Sequence, residues 1–199
     1  MKITGALAWS PEVAMSSAEI NDFLSGRWVA RLSTNGPDGY PMVTPLWYYW
    51  DGQCLSFNIA RTRFTLKNLA RDPRCSAVID MDDRPLMGMR TNHAKAVLIV
   101  GDAQLAYAEA EDKVHIDAGP FAGDYLAADA LGFITNRYGF TARDGAVGFS
   151  RESFGPLYQS TAFPTSQLHK DDVGRVLVKI RPKKIRAWDF SKAPFGIEE

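Results

Sequence analysis

Apolar and polar positions alternate in short runs along most of the chain, with turn residues between them and only brief stretches of helical spacing. Ser16-Ser17-Ala18-Glu19 has the spacing of a capping box, and Ile20, Phe23 and Leu24 follow on one helical face, which predicts a short helix ending at Ser25-Gly26. Residues 28–34 are strand formers, and Asn35-Gly36-Pro37-Asp38-Gly39 after them is turn chemistry throughout. A second strand is predicted over 40–50, where Pro41 and Pro45 argue for a sheet edge or a bulge, since proline cannot donate to a ladder. Asp51-Gly52 then predicts a tight hairpin into a third strand, QCLSFNI.

Thr62 is placed to cap a helix from Arg63 to about Arg71, which Asp72-Pro73 terminates. Strands are expected at 75–81 and 95–107, the latter with a bulge at Gly101, around a polar loop at 82–94. Ala108 to His115 reads as helical. A last strand, RVLVKI, meets a break at Pro182 before IRAWDF. Residues 116–172 differ in texture: Gly119-Pro120, a helix predicted from Tyr125 to Tyr138, then Gly-, Ser- and Phe-rich sequence. The order predicts a mainly β (α+β) protein, an antiparallel sheet or barrel with helices at its ends. The chain is expected to form a single domain, 1–199, with an inserted helical and loop segment at about 116–172.

Composition narrows the function classes. With 46% hydrophobic and 23% charged residues in 199, the chain can bury a core and is not a disordered tract. Lys plus Arg and Asp plus Glu both number 23, so a nucleic-acid-coating role is not expected. Cys54 and Cys75 form no zinc spacing with each other or with the scattered His93, His115 and His169, so they read as free thiols and no metal site is expected. No apolar run approaches the ~20 residues of a membrane span, and the N-terminus is too weakly apolar for a signal peptide. A cytoplasmic protein without membrane contact is expected.

No phosphate-binding loop, dinucleotide fingerprint, zinc-protease helix or nucleophile elbow is present. Asp82-Asp83 and Asp171-Asp172 are sequence neighbours whose side chains diverge, a poor catalytic dyad, and no catalytic residue is identified. Residues 57–74 carry Arg61, Arg63, Lys67, Arg71 and Arg74 against the single acid Asp72. Free N–H groups at the start of a helix, with Arg61, Thr62 and Arg63 beside them, would suit a terminal phosphate. The same residues recur at near-helical spacing and are equally readable as a solvated helix face.

The ordered set Asp38-Gly39, Pro41, Val43-Thr44-Pro45, Trp47, Asp51-Gly52, Asn68-Leu69 and Asp72-Pro73-Arg74, followed by VLIVGDAQL and VKIRPKKIRAWDF, resembles the pyridoxamine 5′-phosphate oxidase-like flavin-binding split-barrel proteins. The resemblance covers roughly 17–110 and 173–190. It implies a six-stranded antiparallel split barrel that forms a homodimer with FMN at the dimer interface. It also implies an oxidoreductase that transfers a hydride to or from a small organic substrate. The flavin ring would lie along Met42, Val43 and Thr44, and its phosphate would meet Asn58, Arg61, Thr62 and Arg63. Where the family commonly places a phosphate-holding Lys, this chain has Thr65. Either Arg63 or Lys67 substitutes, or the ligand is the deazaflavin F-420, whose acidic tail would use Lys67 and Arg71. A non-catalytic flavin- or haem-binding storage or sensing role also occurs on this architecture.

Trp47, Tyr49 and Trp188 read as packing residues. The segment 116–172 is longer than a barrel connection needs and is expected either to cover the cofactor or to pack outside the barrel. From it, Tyr138 and Tyr158 are the candidate substrate contacts, each an aromatic with a polar tip.

Overall fold

The computed structural model describes residues 11–81, 94–107, 110–127, 129–131, 134, 140–143, 146–149 and 174–192. The helices α1 (Ser17–Ser25) and α2 (Phe64–Arg71) are described along their whole length, and they accompany the strands β1 (Ala30–Asn35), β2 (Pro41–Leu46), β3 (Tyr48–Trp50), β4 (Leu55–Ala60), β5 (Arg74–Met81), β6 (Lys95–Tyr107), β7 (Lys113–Ile116), β8 (Gly123–Leu126), β9 (Phe140–Arg143), β10 (Ala146–Phe149) and β11 (Arg175–Asp189). Seven strands form one sheet in the order β2-β1-β5-β6-β11-β4-β3, all antiparallel; β7–β8 and β9–β10 are separate two-stranded sheets. The fold is therefore mainly β, a curled antiparallel sheet of the split-barrel kind. The count is seven where six were expected, because the predicted strand 40–50 breaks at Trp47. Its halves, β2 and β3, lie at opposite edges of the sheet.

That break dictates the curvature. Only Trp47 separates Leu46 from Tyr48, so the two edges are held within about 7 Å there and a flat sheet is impossible. The enclosed face is apolar round the circuit: Leu32, Ala77, Ile79, Val97, Ile99, Val178, Ile180, Phe57 and Tyr48 are fully buried. Register carries that face from strand to strand through Leu32↔Ala77, Ala77↔Ile99, Ile99↔Ile185, Val178↔Phe57 and Phe57↔Tyr48.

The helices close the ends. The Ser16–Glu19 capping box forms as expected, with Ser16 N–H donating to Glu19 (2.7 Å) and Glu19 N–H to Ser16 (3.3 Å). Helix α1 buries Ile20, Phe23 and Leu24 and accepts hydrogen bonds from the core aromatics, Tyr48 to Leu24 O (3.0 Å) and Trp50 to Asn21 (2.8 Å). Lys192 bonds Glu19 and, with the Ser16 backbone, brings its carboxyl down to about 2. At the other end α2 buries Leu66 and Leu69, and Asn68 donates to Thr34 (3.1 Å).

Four local expectations change. Arg63, not Thr62, is the N-cap of α2. Lys113–Ile116, expected to fall largely in a helix, is strand β7, and Tyr125 and Leu126 close strand β8 before the helical residues begin at 127. Pro182 does not end the last strand: β11 runs through it, with a register shift between Pro182 and Lys184 opposite Gly101. A Cβ on Gly101 would stand 2.3 Å from Arg181 O, so glycine admits the close approach that the shift requires.

The described start of the inserted segment packs outside the barrel. Val114, Ile116, Ala127, Ala130, Leu131 and Ile134 cluster on Tyr49 and Leu177, which face outward from β3 and β11. A buried polar clasp fixes this layer. The Lys179 ammonium, with 5% of its side chain exposed, bonds Asp117 and His115 O; Arg181 adds a second bond to Asp117 (3.0 Å). Asp51 accepts N–H groups from Gln53 (2.7 Å), Cys54 (2.6 Å) and Asp117 (3.1 Å). Ligand-type atoms of Asp51, Cys54 and Asp117 lie within 4.8 Å of one another, but Lys179 already supplies the positive charge there. Among the described residues no helix is long and apolar enough to cross a membrane.

The clasp makes stability pH-dependent. Burial pushes the Asp117 carboxyl up, but the bonds from Lys179 and Arg181 outweigh it and bring the group down from 3.8 to about 2. A depressed carboxylate contributes stability above its unfolded value and loses it as pH falls through the folded one. About 2 kcal/mol should therefore disappear between roughly pH 4 and pH 2. Asp117→Ala should cost about 3 kcal/mol at neutral pH by stranding the buried ammonium. Urea unfolding of both proteins across that pH range checks this; a variant that matches the wild type at pH 7 would refute it.

Candidate functional site

The break at Trp47 also opens a split. Strand β3 pairs with β4 only from Tyr48↔Phe57 to Trp50↔Leu55. Beyond that, β4 continues to Ala60 and β2 runs back toward Pro41, and among the described residues no strand joins them. The first turn of α2 occupies the opening, and Thr44 Oγ1 and Thr65 Oγ1 share a hydrogen bond of 2.8 Å. Thr65 is 1% exposed, so this bond is an internal strut between β2 and α2.

The helix start presents unused donors. Arg63 is extended (φ −71, ψ 140) and its side chain makes no cap bond, because a guanidinium has no acceptor to offer the helix. Its carbonyl accepts the N–H groups of Leu66 (3.1 Å) and Lys67 (3.3 Å). The N–H groups of Phe64 and Thr65, and the Arg63 guanidinium, have no partner among the described residues. Donors so arranged at a helix start, with a cation beside them, attract an anion. Arg61 is set by the end of β4: its N–H donates to Gly174 O (3.1 Å), and its guanidinium lies over the Tyr107 ring at 5.8 Å. Thr62 is exposed, as is Lys67, which lies four residues beyond Arg63 on the same side of the chain.

Strand β2 offers the complementary edge. Register sets Thr34↔Met42 and Leu32↔Thr44, so Met42 and Thr44 face the barrel mouth while Val43 faces outward with Ser33. Pro41 and Pro45 cannot donate, so the ladder to β1 falls on Met42, Thr44 and Leu46. Val43, between the prolines, therefore turns its N–H and C=O toward the open edge. Its side chain, 58% exposed, borders an outer groove of about 610 Å³ lined by Arg31, Ser76, Val78, Lys95 and Trp188 among others. Arg31 pairs with Asp80, and Lys95 with Asp189 (2.9 Å).

The structure thus gathers Met42, Val43, Thr44, Arg61, Thr62, Arg63 and Lys67 around the split. It does not bring Asn58 there: Asn58 lies on the outward face of β4, opposite Leu177. Arg71 is tied to Asn35 O and Asn68, and Arg74 to Asp72 (2.7 Å), so both brace the end of α2. Tyr138 and Tyr158 lie outside the described residues. Burial pushes both thiols up to about 12, which leaves neither Cys54 nor Cys75 as a nucleophile at neutral pH. Sequence reasoning missed Phe64, 45% exposed at the first turn of α2, and the part Thr65 plays as a strut. Their signal is visible only as an apolar and a neutral residue inside a basic run.

Residues 16–137 match the sequence model of the pyridoxamine 5′-phosphate oxidase family. Solved structures similar to this chain include a conserved hypothetical protein from Mycobacterium tuberculosis, 24% identical with a TM-score of 0.58, over 96% of this chain and 94% of that one. An F-420 reductase is 19% identical with a TM-score of 0.50, over 83% of this chain and 94% of that one. A protein from Clostridium acetobutylicum, related to general stress protein 26 of B. subtilis and of the pyridoxinephosphate oxidase family, is 12% identical with a TM-score of 0.50, over 88% and 89%. At these identities the structures speak for the fold.

The strut is testable by a double-mutant cycle. Thr44→Val and Thr65→Val should each cost about 1 kcal/mol in urea unfolding, and the double variant clearly less than their sum. Strict additivity would mean that the two hydroxyls do not share a bond.

Proposed function

Because the chain belongs to the pyridoxamine 5′-phosphate oxidase family, we propose that it is an FMN-dependent oxidoreductase transferring a hydride to or from a small organic substrate, and that it works as a cytoplasmic homodimer. One observation carries the reading: the Thr44–Thr65 bond sets the open edge of β2 beside the uncapped start of α2. A planar ring with a phosphate at the end of a flexible chain needs those two features together.

The residues present fit such a group. Arg63 and the N–H groups of Phe64 and Thr65 would take the phosphate, with Arg61, Thr62 and Lys67 around them. Val43 would donate its N–H to a ring carbonyl and accept a ring N–H at its own C=O, a pairing that the flanking prolines leave to this residue alone. Met42 and Phe64, both partly exposed, would cover apolar ring surface. The flavin, when bound, supplies the hydride chemistry, and the protein supplies position and electrostatics. That division agrees with the lack of an activated thiol.

The second reading, deazaflavin F-420, is favoured by Thr65. It is a buried strut where the family resemblance implies a phosphate-holding Lys, and the cations Arg63 and Lys67 are instead spaced along exposed chain. Such spacing suits a longer acidic tail. Absorption spectra after incubation with each cofactor separate the readings, and a protein left colourless by both overturns them. Stable binding without turnover by any acceptor would indicate a storage or sensing protein.

Replacing Arg61 and Arg63 together with Ala should weaken cofactor binding by about 3 kcal/mol, roughly a hundredfold, while Arg71→Ala changes it little. Equal losses on replacing each of the three, read by fluorescence titration, would point to a diffuse basic surface. Sedimentation should show a dimer at micromolar concentration. A monomer with cofactor bound would refute the proposed assembly.

A further inference from the structure

Beneath the layer outside the barrel lie buried polar atoms that the split does not explain. Ser56 and Asn58 stand on the outward side of β4, two residues apart and so ~7 Å between Cα atoms. Across the ladder Ser56 is flanked by Tyr49 of β3 and Lys179 of β11, and Asn58 by Leu177. The face is covered by the apolar cluster of Val114, Ile116, Leu131 and their neighbours. Ser56 is 1% exposed, and neither its Oγ nor Asn58 Oδ1, both buried, has a hydrogen-bond partner among the described residues.

The neighbouring charged groups are bonded elsewhere. The Lys179 ammonium donates to Asp117 and His115 O, Asp117 also accepts from Arg181 and the Cys54 thiol, and Asp51 accepts three backbone N–H groups. Buried polar atoms left in this condition are rare in native proteins, and ordered water is the usual remedy. We propose that Ser56 and Asn58 hold one buried water between β4 and the outer layer, and that Asn58 serves this site rather than the cofactor phosphate. The water donates one hydrogen to Asn58 Oδ1 and meets the Ser56 hydroxyl through its oxygen or its second hydrogen. Two such bonds of ~2.8 Å bridge atoms up to ~5.6 Å apart, a span within reach of side chains at i and i+2 on one side of a strand. Because the Lys179 charge is already neutralised, nothing selects an ion, and a neutral occupant fits.

A high-resolution crystal structure of the full chain should show a density peak within hydrogen-bond distance of both atoms, lost in Ser56→Ala/Asn58→Leu. A dry gap, or a peak that belongs to an anion or to a cofactor, overturns the proposal. A second arm, which rests on reading the split as a flavin site, titrates FMN: Asn58→Leu should keep Kd within twofold of the wild type, and a tenfold loss overturns the reassignment of Asn58. If the wild type binds no FMN, the flavin reading has failed and the crystallographic arm still decides the water. If Asn58→Leu does not fold, Ser56→Ala, which removes one oxygen, provides the same crystallographic comparison.

Discussion

The single residue between β2 and β3 is the constraint on which the rest of the molecule depends. Strand pairing sends Leu46 to one edge of a seven-stranded sheet and Tyr48 to the other, and Trp47 alone must join them. The sheet curls because the covalent chain allows nothing else. Curling encloses one apolar face and buries Tyr48 and Phe57 completely, with the Tyr48 hydroxyl satisfied by the carbonyl of Leu24. The same link leaves β2 and β4 diverging past the point where β3 ends. Closure of the barrel and its opening are thus one event seen from two sides of Trp47.

The opening leaves backbone groups unpaired, and the chain limits the hazard with local chemistry. A free sheet edge invites another strand, but Pro41 and Pro45 remove two of the donors that such a strand would need. What remains at Val43 is one N–H and one C=O, enough for a small ligand edge and too little for a ladder. Opposite, Arg63 occupies a cap position where Ser, Thr or Asp would have consumed the first donors of α2. A position that costs helix stability in this way keeps its donors available. The Thr44–Thr65 strut holds the two sets of donors in fixed relation, which a pair of loops could not do.

Local signals in the sequence were legible where the structure is local. The Ser16–Glu19 box and the glycines at 39 and 52, which take positive φ of 87 and 99, announce their turns and caps directly. The strands β1, β4, β5 and β6 follow from their own alternation. Residues 108–115 misled because the Ala- and Glu-rich start of that stretch favours helix, whereas Val114, like Ile116 after it, becomes strand by pairing with β8 and packing on Tyr49 and Leu177. The break at Trp47 has no local mark, since it arises from two pairings with distant strands. For the site, the basic run identified the region of α2, yet the braced roles of Arg71 and Arg74 and the outward aim of Asn58 appear only once β1 and β11 are in place.

Strand β11 shows how one register shift divides the outer surface into two kinds of wall. Up to Pro182 the even residues Val176, Val178 and Ile180 face the core and the odd residues Leu177 and Lys179 face out. Past the shift the odd residues Ile185 and Ala187 face the core, and Trp188 lines the outer groove. A regular ladder would have turned Trp188 inward and Ile185 to the surface. Gly101 permits the shift because a side chain there would meet Arg181 O. The first wall receives Leu177 and Lys179, and with them the apolar layer and the Asp117 clasp that seal it. The second wall keeps Trp188 beside Val43 and stays open. The open face beside Val43 therefore depends on a missing methyl group on β6, the neighbour of the last strand on the side toward β2.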